Sequence, residues 1–142
     1  VRLGDPECQP LLMRLKSDLL DVLEATVDGR LDEVGPLQWD PRPAICVVMA
    51  SEGYPGDYQK GRVIRGLEEA AAVPDVKVFH AGTTLNDEGK VVTNGGRVLC
   101  AVGLGTTVRA AQKQAYELAG TICWEGLQYR KDIGYRAIAR ES

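Results

Sequence analysis

Three polar loops carry the residues of this 142-residue chain that are best suited to bind a ligand. They are 53–58 (GYPGDY), 93–98 (TNGGRV) and 129–136 (YRKDIGYR), and each combines glycine with polar or charged neighbours. Glycine lets a backbone amide approach a ligand closely, and arginine offers paired donors that match a carboxylate or a phosphate. Because Arg97 and Arg130 stand beside the last two turns, the pattern predicts a site for a small anionic molecule.

Each loop also has a purely structural interpretation. Asn94-Gly95-Gly96 is typical of a two-residue β-hairpin turn, and Tyr54-Pro55-Gly56-Asp57 of an ordinary β-turn. Arg130-Lys131-Asp132 is equally compatible with a solvated run of charges. Local chemistry leaves both interpretations open and specifies no reaction.

The first seven residues form a further candidate. Arg2, Asp5 and Glu7 place one guanidinium and two carboxylates within a short loop. Such a group is either salt-bridged internally or forms the edge of a site for a metal ion, an amine or a carboxylate.

Two other features favour structural roles. The segment 103–107 (GLGTT) leaves a strand and enters a helix, but it lacks the third glycine and the Gly-Lys-Ser/Thr sequence of phosphate-binding loops. A strand end followed by a threonine N-cap explains it. His80 has no evident partner for a hydrolytic triad.

The elements that position these residues follow from apolar spacing. Residues 8–28 carry a helical stripe, although Ser17-Asp18 is able to cap a second helix, and the periodicity leaves one or two helices open. The proline-rich span 32–43 predicts an irregular connector. We therefore divide the chain into an N-terminal piece (1–31), a linker (32–43) and a compact C-terminal domain (44–142).

Within the C-terminal domain we expect mostly strands. The strands are predicted at 44–50, 63–64, 76–80, 83–85, 90–93, 97–104 and 133–138, with a turn at 86–89. Alternation along 97–104 predicts one buried face. We also predict two helices. The first is short, at 67–73, and the second is longer, begins at a cap on Thr106 or Thr107 and ends near Ile122. The fold class is α+β, a small antiparallel sheet packed by one or two helices.

Composition excludes several classes of protein. A net charge of −3 and an aromatic content of 6% argue against a nucleic-acid partner. No apolar run approaches the roughly 20 residues of a membrane span, so we expect no membrane partner. The four cysteines are widely spaced, which predicts free thiols, no metal cluster and a reducing, cytoplasmic compartment.

Several motifs, spread along most of the chain, resemble those of one family and occur in the same order. These motifs are VRLGDPE (1–7), LKSDLL (15–20), GYPGDY (53–58), KVFHAGT (77–83), VVTNGGRVL (91–99) and YRKDIGYRA (129–137). They are similar to the glycinamide ribonucleotide synthetases, also called phosphoribosylamine–glycine ligases, and the resemblance covers their C-terminal third. Leu3 stands where the family usually has phenylalanine, an apolar exchange of small expected consequence.

The resemblance implies an ATP-grasp ligase of purine biosynthesis that joins glycine to 5-phosphoribosylamine through glycyl phosphate. The family's metal-binding glutamate and asparagine would lie immediately upstream of Val1, and its ATP-clamping strands further upstream. ATP and Mg²⁺ or Mn²⁺ would therefore act in the longer enzyme, and we expect neither bound to this chain. We expect the chain alone to be inactive. Its expected partner is the missing N-terminal two-thirds of the same enzyme.

The resemblance also implies roles for particular residues. Arg2 would lie against the glycine carboxylate or the reacting phosphoryl group, with Asp5 and Glu7 supporting that loop. The wall that holds phosphoribosylamine would consist of Tyr54, Pro55, Gly56, Asp57, Asn94, Gly95, Gly96, Arg97, Arg130 and Lys131. The alternative hypothesis is a free-standing, non-catalytic module that binds or senses phosphosugars.

Overall fold

An antiparallel sheet of four strands organises the protein, whose computed structural model describes residues 3–141. The strands of the molecule are β1 (Ala44–Ser51), β2 (Val76–His80), β3 (Thr83–Leu85), β4 (Val91–Thr93), β5 (Arg97–Leu104) and β6 (Leu127–Gln128). The main sheet has the order β2-β5-β1-β6, and β3 and β4 form a separate hairpin. The predicted α+β class with a small antiparallel sheet is confirmed.

Five α-helices accompany the sheet over the described range: α1 (Cys8–Arg14), α2 (Leu19–Val27), α3 (Leu67–Ala71), α4 (Val108–Thr121) and α5 (Tyr135–Ile138). The helical stripe at 8–28 is two helices, because the Asp18 carboxylate accepts a hydrogen bond from Leu20 N and starts α2. Among residues 3–141, no helix has both the length and the apolar character that crossing a membrane requires.

The central strand β5 is buried on both faces, so the prediction of one buried face is wrong. Leu99 and Ala101 join the core cluster that includes α4 residues. Cys100 and Val102, which alternate with them, are also buried, and α1 contacts both β1 and β5. Because residues alternate between the faces of a strand, we infer that α4 and α1 cover opposite faces.

Two further predictions were wrong. The segment 63–64 is not a strand of its own, since it makes only isolated bridges, Val63 with Val92 and Arg65 with Cys123. The tail at 133–138 is not extended, because Gly134 adopts a φ of +85° and α5 begins at Tyr135. A glycine that reverses the chain in this way permits a helical turn that hydrophobic alternation does not reveal.

The connector between α2 and β1 is anchored at its end. It contains a 3₁₀ turn at Leu31–Glu33, and Asp40 N donates to Arg14 O at 2.6 Å. Arg42 pairs with Asp40 at 2.9 Å and with Asp75 at 2.9 Å. These contacts fix the end of α1 and the entry to β1 relative to the start of β2.

Candidate functional site

The loops 53–58 and 94–97 lie against each other and form one surface, which we call the two-loop surface. Ser51, the last residue of β1, joins them: its N–H donates to Gly96 O at 2.8 Å and its hydroxyl to Gly95 O at 2.9 Å. The ring of Tyr54 covers Gly96 so closely that a Cβ there would overlap ring carbons. The structure thus brings together two of the three loops that the sequence singled out.

The segment 94–96 is not a β-hairpin turn, which corrects the structural interpretation of its sequence. β4 pairs with β3, whereas β5 pairs with β1 and β2, so these residues cross from the hairpin to the main sheet. Neither Gly95 nor Gly96 has a positive φ. Their glycine character serves close approach, since a Cβ on Gly95 would lie 2.9 Å from Gly82 Cα.

The remaining residues of loop 53–58 shape an exposed turn. The Tyr54–Pro55 peptide bond is cis, as is Asp5–Pro6. Gly53 has a φ of +92°, and a Cβ there would collide with the carbonyl of Asp57. Gly56 and Asp57 are exposed, so both face solvent in this structure.

Of the N-terminal candidates, Asp5 contacts the two-loop surface, through an ion pair with Arg97. The Arg97 guanidinium lies 2.9 Å from the Asp5 carboxylate, and it also donates to Asp5 O at 3.3 Å. The Glu7 carboxylate folds back over Gly4 instead, where a Cβ would lie 3.0 Å from Glu7 Cδ. Arg2 lies outside the described residues.

Arg130 and Lys131 follow β6, and Arg130 makes contacts within its own loop and with α4. The Arg130 guanidinium pairs with Asp132 at 2.7 Å, and its hydrogen bonds lower the pKa of Asp132. The carbonyl of Arg130 accepts a hydrogen bond from Tyr116 of α4 at 2.7 Å. Within residues 3–141, no hydrogen bond or ion pair connects Arg130 or Lys131 to the two-loop surface. Both side chains are exposed beyond β6.

Sequence reasoning missed the residues that hold the loops. Ser51 closes the two-loop surface, and Gln128 Nε2 donates to Ser51 O at 3.0 Å and to Tyr54 O at 3.3 Å. Tyr116 likewise fixes loop 129–136 through Arg130 O and Ile133 N. Since each bond links positions far apart in the chain, no local pattern could have revealed it.

Sequence reasoning also missed a cleft of about 570 Å³ next to this region. Segment 61–65 and residues 123–125 line it, and they contribute Arg62 and Arg65. The guanidinium of Arg62 is already paired with Glu125 at 2.7 Å. A smaller cavity connects this pair with Ser51.

The glycine pair at 103–107 is structural, as the sequence indicated. A Cβ on Gly103 would lie 2.6 Å from Ala115 N, so the glycine allows α4 to pack close to β5. Thr107 caps α4 by accepting from Ala110 N at 3.1 Å. The Glu141 carboxylate accepts from Val108 N and Arg109 N, so a side chain of the protein already occupies this helix N-terminus.

The described residues provide groups that can bind a ligand. Within residues 3–141, no three His, Cys, Asp or Glu side chains converge to hold a metal ion. His80 is exposed, with Nδ1 3.0 Å from the Thr83 hydroxyl. All four cysteines are free. The pKa of the Cys46 thiol is raised by its hydrogen bond with Cys100 and by burial, so Cys46 is a poor nucleophile at neutral pH.

Comparison with known proteins identifies the family. The family model described as "Phosphoribosylglycinamide synthetase, C domain" matches residues 44–136, which is more than half of the chain. The chain belongs to the phosphoribosylglycinamide synthetase family.

Relatives of this synthetase family match almost the whole chain. The phosphoribosylamine–glycine ligase of Pseudomonas aeruginosa is 62% identical over 140 residues, covering 99% of this chain and 32% of the relative. That of Rhodopirellula baltica is 59% identical over 138 residues, covering 97% and 31%. The crystal structure of the Thermotoga maritima ligase matches with a TM-score of 0.71 and 35% identity, covering 93% of this chain and 31% of the other. The chain therefore spans about a third of the length of these relatives.

Proposed function

We propose that this chain is the C-terminal third of a phosphoribosylamine–glycine ligase. The observation that carries the proposal is the 62% identity to the Pseudomonas aeruginosa ligase across 99% of the chain. The complete protein would join glycine to 5-phosphoribosylamine with ATP, in de novo purine biosynthesis. The free thiols and the family's biosynthetic role favour a cytoplasmic location.

The reaction would proceed in two steps. The glycine carboxylate takes the terminal phosphoryl group of ATP, which gives glycyl phosphate and ADP. The amine of phosphoribosylamine then attacks the acyl carbon and loses a proton, and inorganic phosphate leaves. Positive charge must offset the charge that develops on the phosphoryl group, and water must be kept away from the acyl phosphate.

ATP and the divalent metal ion would be held upstream of the described residues. A metal ion would supply charge neutralisation at the transferred phosphoryl group. We assign the metal and ATP sites to the upstream two-thirds of the enzyme, because the resemblance to the family implies that its metal-binding glutamate and asparagine and its ATP-clamping strands lie there.

This part of the enzyme would form a wall of the substrate site. The contacts between loops 53–58 and 94–97 support the view that Tyr54–Asp57 and Asn94–Arg97 act together. Arg130 and Lys131 are exposed cations beyond β6 and would reach the ribose phosphate from a second direction. Arg2 would contact the glycine carboxylate or the phosphoryl group, with Asp5 and Glu7 supporting its loop.

Product formation tests the proposal directly. The full-length protein that contains this chain should convert glycine, phosphoribosylamine and ATP to glycinamide ribonucleotide, measured by phosphate release and product mass. The purified 142-residue chain should form no product. Product formation by the isolated chain, or phosphosugar binding without turnover by the full-length protein, would contradict the proposal.

The role of Arg130 has its own test in the full-length enzyme. Arg130→Ala should raise the KM for phosphoribosylamine far more than the KM for ATP, because a guanidinium that binds the ribose phosphate is lost. Lys113→Ala is the matched control, since Lys113 is an exposed cation on α4 with only a 3.7 Å contact to Glu117. Small and equal effects on both KM values would remove Arg130 from the site.

A further inference from the structure

The Arg97 guanidinium contacts Asp5 at two points. The Arg97 Nη2 atom lies 2.9 Å from the Asp5 carboxylate, and Nη1 donates to the Asp5 carbonyl at 3.3 Å. Both terminal nitrogens of the guanidinium thus contact one residue that is 92 positions away. The two side chains are 38% and 47% exposed. Pairs this exposed contribute little to stability, so a two-point contact of this kind is better suited to fixing a position.

Arg97 projects from a part of the fold that is itself well fixed. It is the first residue of β5 and pairs with Ala50, where β1 has a register shift. The preceding Gly96 lies under the Tyr54 ring, and its carbonyl accepts from Ser51 N at 2.8 Å. Because these contacts fix the backbone around Arg97, its guanidinium can hold the Asp5 loop against the sheet.

The Asp5 loop leads directly into α1 on one side and toward Arg2 on the other. Cys8 N donates to Gly4 O at 2.8 Å, which ties the loop to the first turn of α1. In the sequence, Arg2 is three residues before Asp5. Whatever fixes Asp5 therefore limits where the segment that carries Arg2 can reach.

We propose that Arg97 is a positioning residue that holds the loop at 3–7 in place for the glycine side of the site. In this role it does not bind phosphoribosylamine itself. The inference rests on the proposed ligase function, and it changes the role of Arg97 from a substrate contact to a link between two parts of the enzyme. Asp5 is its partner in that link.

Steady-state kinetics of the full-length enzyme separate these roles. Arg97→Ala and Asp5→Ala should each raise the KM for glycine by on the order of 10- to 100-fold, because a small displacement of a substrate-binding segment is costly. The KM for phosphoribosylamine should stay within about twofold, and the double variant should be no worse than either single variant. Arg97→Lys should raise the KM for glycine less than Arg97→Ala does, since lysine keeps the charge but cannot make the two-point contact.

Lys90→Ala provides the matched control. Lys90 is 57% exposed and pairs with Glu88 at 2.7 Å, so this variant loses an exposed ion pair without touching the Asp5 loop. It should leave the glycine KM unchanged. A rise in the phosphoribosylamine KM alone for Arg97→Ala would make Arg97 a direct substrate contact and overturn the inference. A fall in kcat with both KM values unchanged would overturn it as well.

A second measurement does not depend on turnover. In the full-length protein, hydrogen exchange of the peptide that covers residues 3–14 should be faster in Arg97→Ala than in the wild type, with exchange in α4 unchanged. Equal exchange in the two proteins would overturn the inference even if the enzyme proved inactive. Absence of product from the wild type, by contrast, would count against the ligase function alone.

Discussion

At Gly96 the absence of a single carbon atom permits the contact between two loops. The Tyr54 ring lies where a Cβ of residue 96 would be, and the Gly96 carbonyl is fixed by Ser51 N at 2.8 Å. Gln128 also holds the Tyr54 backbone, because its Nε2 donates to Tyr54 O at 3.3 Å. The shape of the two-loop surface therefore depends on residue 96 being glycine.

Gly96→Ala should destabilise the protein by about 1–3 kcal/mol, as expected for a side chain inserted into a filled space. The matched control is Gly120→Ala in α4, where nothing lies within 4 Å of the added Cβ. That change should stabilise the protein by about 0.5–1 kcal/mol, because alanine favours helix. Urea unfolding of both variants measures the difference. Equal effects of the two substitutions would contradict the close contact.

Asp40 carries a charge that the fold stabilises. Hydrogen bonds from the Arg42 guanidinium, and next from the Arg42 backbone N–H, lower the pKa of Asp40 to about 2. The unfolded chain has an ordinary aspartate pKa of about 4. Because the folded pKa is the lower one, this contribution to stability is present above about pH 4 and is lost as the pH falls through about 2.

Asp40→Asn should therefore destabilise the protein at pH 7 and weaken the loss of stability between about pH 4 and 2. Urea midpoints measured across this pH range test the expectation. Asp87→Asn serves as the control, because Asp87 is an exposed residue of the β3–β4 turn. If the acid dependence of Asp40→Asn equals that of the wild type, Asp40 does not carry the effect.

Among the elements, α4 shows how a helix boundary is chosen. The sequence offers Thr106 and Thr107 as N-caps, and only Thr107 accepts from the helix, at 3.1 Å from Ala110 N. The Glu141 carboxylate satisfies Val108 N and Arg109 N, which belong to the first turn. The adjacent Thr107 and the distant Glu141 thus satisfy N–H groups that a helix by itself leaves unpaired.

Thr107→Ala should cost about 1 kcal/mol of stability, the usual effect of losing a side-chain N-cap. Thr106→Ala should change the free energy of unfolding by less than about 0.5 kcal/mol, as for a surface substitution. Thermal and urea unfolding of the two variants, which differ by one position, make the comparison. Similar losses in both would show that the cap does not depend on Thr107 alone.

On the scale of the whole molecule, α2 leaves an apolar face uncovered. Leu20, Leu23 and Val27 are 60%, 52% and 87% exposed, and they repeat at helical spacing. Exposed stripes of this kind usually contact another surface. Since the relatives are about three times as long as this chain, α2 is a suitable place for the rest of the proposed ligase to pack.

The isolated 142-residue chain should therefore self-associate at high concentration, and Leu20→Lys should reduce the association. Leu85→Lys is the matched control, because Leu85 is 65% exposed on β3, away from this stripe. Sedimentation velocity or light scattering over a range of concentrations measures both. A wild-type chain that stays monomeric throughout would contradict the expectation.

The sequence predicted the elements whose signals are local. The apolar run at 44–50, the turn at 86–89 and the capped helix ending near Ile122 all appear within a residue or two of their expected bounds. The failures at 63–64 and 133–138 have different causes. In the first, pairing partners distant in the chain decide the structure; in the second, a backbone reversal at Gly134 decides it.

By itself, the sequence determined the family, the fold class and the three glycine-bearing loops, because residue identity and short-range spacing encode all of these. Only the tertiary structure decided that loops 53–58 and 94–97 share a surface and that Arg97 pairs with Asp5. The physical reason is that these outcomes depend on strand register and on chain crossings between sheets. Both arise from long-range packing, which no local window of the sequence contains.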